Sequence, residues 1–168
     1  MVRLARFICV ALVAVAAPAS AGEPALTRIE ANVAGGVSVG GGSGASATKV
    51  AAYTVGAIID HAIVADPWVT AQAGVFFEGG DRAGVGVRAG VRVHPAGTRT
   101  RFGAAIVSVV APYTFAGVAA SAGYCWPFGG IAACADVEGG AFALGDDLAE
   151  GTVAAQLQLV LGMRFDVF

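Results

Sequence analysis

From Ala155 to Phe168 the chain reads AQLQLVLGMRFDVF, and its apolar residues keep to every second place. Leu157, Leu159, Leu161, Met163, Phe165 and Val167 share one parity; Gln156, Gln158, Gly162, Arg164 and Asp166 share the other. Side chains of a β-strand point alternately to opposite faces, so period two predicts a strand with one greasy face and one polar face.

The same alternation recurs upstream. Arg28 to Val39 sets Ile29, Ala31, Val33, Val37 and Val39 against Arg28, Glu30, Asn32 and Ser38. Trp68 to Glu78 sets Val69, Ala71, Ala73, Val75 and Phe77 against Thr70, Gln72 and Glu78, and Val85 to His94 sets five small apolar residues against Gly86, Arg88, Gly90, Arg92 and His94. Arg99 to Ala111 carries Arg99 and Arg101 on one parity and Phe102, Ala104, Ile106 and Val110 on the other. Phe115 to Cys125 and Ile131 to Leu144 predict a hairpin about Trp126-Pro127-Phe128-Gly129-Gly130. Lys49 to His61 is also an apolar run, but its phase is too weak to fix which parity faces out. Gly40 to Thr48, GGGSGASAT, reads as a flexible loop, and Asp66-Pro67, Pro95 to Thr98 and Gly145 to Gly151 carry turn chemistry.

Composition sharpens this into a fold class. The chain is 57% hydrophobic and only 13% charged, with 25 glycines, a mixture that forms helices poorly. Arg3 and Arg6 followed by an apolar run from Phe7 to Ala17 and by Ala19-Ser20-Ala21 predict a cleaved signal peptide over residues 1–21. Removing 21 of 168 residues leaves 147, enough for about eight strands of 9 to 11 residues in a single domain over 22–168. Without Arg3 and Arg6 the 10 basic residues fall to 8 against 12 acidic ones, with no basic cluster, which argues against nucleic acid as a partner. The predicted fold is all-β, an eight-stranded antiparallel up-and-down transmembrane barrel.

Two arginines on one face of one strand are costly against lipid, so the charged parity is expected to face the lumen. That set is Arg28, Glu30, Glu78, Arg88, Arg92, Arg99, Arg101, Asp136, Glu138, Arg164 and Asp166, six positive and five negative. An eight-stranded lumen is filled by side chains, and near balance predicts a paired, plugged interior rather than an ion path. Cys125 and Cys134, the cysteines left after export, are expected to form a disulfide. If they face one another, the register pairs Tyr124 with Ala135 outside and Ser121 with Glu138 inside.

Other candidates carry little chemistry. Asp136 and Glu138 stand two apart on the inner face, but neighbouring arginines favour salt bridging over acid–base work. His61 and His94 lack partners at metal-ligand spacing, and Asp146, Asp147 and Glu150 lack the pattern of a calcium loop. Gly40 to Gly44 is not followed by the Lys-Ser or Lys-Thr of a phosphate-binding loop. No catalytic residue, cofactor or metal site is expected.

The signal peptide, the alternating strands and the terminal Phe168 resemble the small eight-stranded outer-membrane barrels of the OmpA transmembrane-domain and OmpX kind. That resemblance implies both termini in the periplasm, the outer membrane as location, outer-membrane lipid and the barrel-assembly machinery (reached through the C-terminal strand) as partners, and a monomer. It places Gly40 to Thr48, Gly79 to Arg82, Pro112 to Thr114 and Gly145 to Gly151 outside the cell. Tyr124, Trp126 and Phe165 would then ring the periplasmic rim, and Phe77, Tyr113 and Phe115 the outer one. The serine and histidine of lipid A deacylase barrels of this size have no counterpart around His61 or His94. The expected role is non-enzymatic, structural in the envelope or in surface interaction. The alternative is a soluble, exported, lipocalin-like barrel whose apolar parity lines a cavity for an apolar ligand, because alternation alone does not say which face is inside.

Overall fold

The computed structural model describes residues 27–42, 45–50, 53–63, 69–80, 83–112, 114–146, 148 and 151–167, with the backbone alone over 42 and 45–50. The expected signal peptide, Tyr113, Asp147, Glu150 and Phe168 lie outside the described residues. The strands are β1 (Thr27–Gly42), β2 (Ala45–Val50), β3 (Tyr53–Ala62), β4 (Val69–Gly79), β5 (Gly84–Val93), β6 (Thr100–Ala111), β7 (Phe115–Phe128), β8 (Ile131–Leu144) and β9 (Val153–Asp166). Each pairs antiparallel with its neighbour, and β1 closes the sheet on β9 from Arg28 opposite Asp166 to Gly41 opposite Val153. β2 and β3 pair with successive stretches of β1 and together make one stave, so the nine strands close an eight-stranded barrel.

Closure settles which face is which. The outward positions run through Ile29, Val33, Val75, Val87, Ile106, Val118, Leu159 and their neighbours, all exposed. Among the described side chains of the staves, the only polar ones on this parity are Thr27, His61, Thr100 and Ser108, and none is charged. Arg92, Arg101, Glu30, Asp60 and Asp136 are buried inside. The lipocalin-like alternative required the reverse, with the apolar parity lining a cavity and the charges in water; the observed orientation overturns it.

Three sequence expectations are corrected here. Gly40 to Thr48 is not a loop throughout: β1 continues to Gly42 and turns back at once into β2, with Gly42 opposite Ala45. The extension holds because β9 also hydrogen-bonds β1 as far as Gly41 on its other edge. Arg99 lies in the exposed turn before β6 rather than on its inner face. Phe115 shares the inward parity of Cys125, so its ring turns into the lumen and meets Phe142 edge to face, with centroids 4.9 Å apart. At the other end the Tyr124 and Trp126 rings do meet outside, tilted by 57° with centroids 4.9 Å apart, where a membrane interface would receive them.

Cys125 and Cys134 stand opposite one another on β7 and β8 and are joined by a disulfide. Tyr124 faces Ala135 and Ser121 faces Glu138 in the same register, which slips only near the loop end, between Ala116 and Gly117. The hairpin turns through Gly129, whose φ of 72° suits the left-handed geometry of a two-residue turn. Because the bridge spans 9 residues of sequence, opening it should lower the unfolding free energy by roughly 2 to 3 kcal/mol through the entropy returned to the unfolded chain. Replacing both cysteines with alanine should therefore lower the urea midpoint by that equivalent, and a midpoint unchanged between the variant and the oxidised parent would contradict it.

Candidate functional site: the lumen

The inner face carries charge near the chain termini and apolar rings near the loops. In the terminal half, strand register brings side chains from β1, β3, β5, β6 and β8 to one level. Arg101 is the hub. Its Nε donates to Asp136 Oδ1 at 2.7 Å and its Nη2 to Glu30 Oε1 at 3.0 Å, while Nη1 and Nη2 also bond Glu30 Oε2 and Asp136 Oδ2. Arg92 donates to Asp60 and, at 3.4 Å, to Glu30. Arg101, Glu30 and Asp60 are each only 1% exposed, so water does little to screen this cluster. Ions removed from water in this way hold their charge only when paired in good geometry.

Glycines make the room. A Cβ on Gly123 would collide with the Asp136 carboxylate, and one on Gly162 would come within 2.9 Å of Glu30 Oε1. Both glycines lie on the inner parity beside the cluster, where any larger residue would displace a carboxylate from Arg101.

Towards the loops, Arg88 reaches across to Glu138 at 2.8 and 3.4 Å. Beyond that pair the lining changes to Ala105, Val107, Ala119 and Phe142, with Phe76, Phe115 and Leu148 packed against them. Towards the termini, Arg28 and Arg164 approach the same oxygen of Asp166, at 3.4 and 3.8 Å. Glu78 lines the loop-side cavity.

Of the eleven lumen charges expected from sequence, ten therefore lie on the inner face and Arg99 does not. Asp60 was missed, although it is among the most buried members. Asp136 and Glu138, the adjacent pair with conceivable acid–base use, are each engaged by a different arginine. His94 stands just past the end of β5; burial, and then the positive charges of Arg28, Arg92, Arg164 and Arg101, push its pKa down to about 3, so it is neutral. His61 sits on the outward parity at the terminal rim, against the Thr27 hydroxyl, 2.9 Å from its Nδ1. Among the described residues, no three His, Cys, Asp or Glu side chains gather where they would hold a metal ion.

An apolar exterior, a continuous hydrogen-bonded wall and an interior of paired charges define a class: small, closed, eight-stranded antiparallel barrels of the outer-membrane type. Among solved structures the chain is similar to Neisserial surface protein A, with a TM-score of 0.59 over 86% of this chain and 99% of that one, at 11% identity. At that identity the likeness establishes the shared fold. It also matches Ail, the attachment invasion locus protein of Yersinia pestis, over 86% of this chain and all of that one, at 14% identity and a TM-score of 0.28, too low to carry an argument. No family model and no curated protein matches the chain.

Proposed function

We propose that the chain is a non-enzymatic outer-membrane protein, exported by residues 1–21 and inserted as a monomeric barrel with a side-chain-plugged lumen, serving the envelope structurally or through surface contacts. The observation that carries this is the outer face: a wall of valine, leucine, isoleucine, phenylalanine and alanine without one described charge. In water so large an apolar surface would drive aggregation; in a bilayer it is the required solvent-facing surface. The backbone agrees, because the pairing of β1 with β9 closes the sheet and leaves only the short loop-side β2 with a single pairing partner among the described strands.

Support for the plug comes from Glu30, Asp60, Asp136 and Glu138, each held by an arginine. A carboxylate so held has no proton-accepting role to spare, which favours a scaffold over an enzyme. Outer-membrane lipid is then the principal partner, with the assembly machinery engaging the C-terminal strand β9 during insertion and the loops meeting whatever the surface presents. Neisserial surface protein A, by its name a surface protein, lends the same direction to this reading.

The test is expression of the full chain with its first 21 residues in a Gram-negative host, followed by fractionation and electrophoresis in SDS with and without boiling. The expected result is a band in the outer-membrane fraction whose mobility shifts on boiling. A folded protein recovered from the periplasm without membrane would overturn the proposal.

A further inference from the structure

In the loop-side half of the lumen the side chains stop short of filling the barrel. A cavity remains with Phe76, Phe115 and Phe142 contributing apolar surface and Asn32, Thr54 and Gln156 contributing polar groups. Its lining also includes both members of the Arg88–Glu138 pair. The centre of a water molecule is free to move through about 50 Å³ of it. A space in which a water centre moves this freely holds more than one water and is on the order of one small ring in bulk.

The polar end is incomplete. Arg88 commits Nη1 and Nη2 to Glu138, and its buried Nε finds no acceptor among the protein's own described atoms. A buried N–H without an acceptor is costly, and a ligand oxygen would satisfy it. The lining also selects the charge of that ligand. Arg88 and Glu138 cancel, so an ion of either sign would be buried here without a counter-charge, and a cation also offers Nε nothing to donate to.

We propose that this cavity is a binding site for a small neutral molecule joining one apolar ring to a hydrogen-bonding oxygen, the chemistry of a simple phenol. The oxygen accepts from Arg88 Nε, and the ring packs among Phe76, Phe115 and Phe142, where offset and edge contacts between aromatic rings add to burial. Towards the termini the lumen is filled by Arg92, Arg101 and their carboxylates, so the molecule is held rather than passed through. The inference rests on lumen geometry and does not depend on where the barrel resides.

The probe is 4-fluorophenol, followed by fluorine NMR with the full chain folded in lipid nanodiscs and with empty nanodiscs as reference. Lipid takes up the phenol without saturating; the site adds a saturable resonance with a Kd on the order of 1 mM. Fluorobenzene, which keeps the ring and lacks the oxygen, should bind at least about tenfold more weakly, because it leaves Arg88 Nε unpaired. Ala119→Phe and Ala34→Leu fill the cavity from different strands, and either variant that keeps the boiling-dependent shift should lose the saturable resonance. A signal that never saturates, or one that persists in a folded, filled variant, would overturn the proposal.

Discussion

Arg101→Met will cost the barrel about 3 to 5 kcal/mol of stability, the largest single loss expected from any side chain in the lumen. Two guanidiniums, Arg92 and Arg101, serve three carboxylates, Glu30, Asp60 and Asp136. Removing Arg101 leaves one guanidinium for three buried anions and strips Asp136 of every bond it makes within the cluster. Methionine fills much of the vacated volume, so the loss is electrostatic rather than a cavity effect. The urea midpoint of the barrel in detergent reads the change. A companion variant separates the cause: with Arg101→Met, Glu30→Gln and Asp136→Asn together, only the Arg92–Asp60 pair keeps its charge, and more than half the lost stability should return. Equal destabilisation in the single and the triple variant would show that shape, and not unpaired charge, governs the plug.

The residues of that plug also show what periodicity reveals and what it hides. Alternation exposed Arg92, Arg101, Glu30 and Asp136, since each sits within a run of unbroken phase. Asp60 was lost because its stave is broken. Ala34 stands opposite Thr54, yet three residues further along β1, Val37 stands opposite Val50, so the partner advances by four. Parity therefore flips between β2 and β3, and a single phase read across Lys49 to His61 averages two opposite ones. Arg99 failed for a different reason. It keeps the parity of Arg101 and its carbonyl still accepts from the Cys125 N–H, but it lies one residue before β6 at the rim, where its side chain is exposed rather than held in the lumen.

Phe115 was legible but misread. It lies ten residues from Cys125 on one continuous strand, so the bridge that turns Cys125 inward turns Phe115 inward too; the expectation of a rim anchor follows from an aromatic at a strand end and neglects that parity. Its true position, edge to face with Phe142, adds an aromatic pair to the loop side of the lumen. The disulfide register was legible in the sequence because setting Cys125 opposite Cys134 fixes every neighbouring pair of the hairpin, and the two parities then agree without a bulge near the bridge. The loop-side cavity had no sequence signature at all. It arises from rings and small residues on β4, β6, β7 and β8 that meet only when the barrel closes.

Ile106→Arg is expected to cost about 2 to 4 kcal/mol in a bilayer, whereas Thr100→Arg, at the rim of the same strand and on the same outer parity, should cost about 0 to 1 kcal/mol. Ile106 lies midway along β6 and is 66% exposed, so the substitution removes no packed contact of the interior and creates no internal clash. In water an exposed arginine at such a site would be harmless or would improve solubility. In lipid its depth decides the cost, because a guanidinium at mid-plane is farthest from water while one at the rim reaches the headgroups. The contrast between the two sites thus reports the solvent around the barrel rather than its fold. Unfolding midpoints in lipid vesicles supply the measurement, with the same pair in detergent micelles as a check on depth dependence. A penalty at Ile106 no greater than at Thr100 would mean that the apolar wall does not face hydrocarbon, and would remove the basis for placing this chain in a membrane.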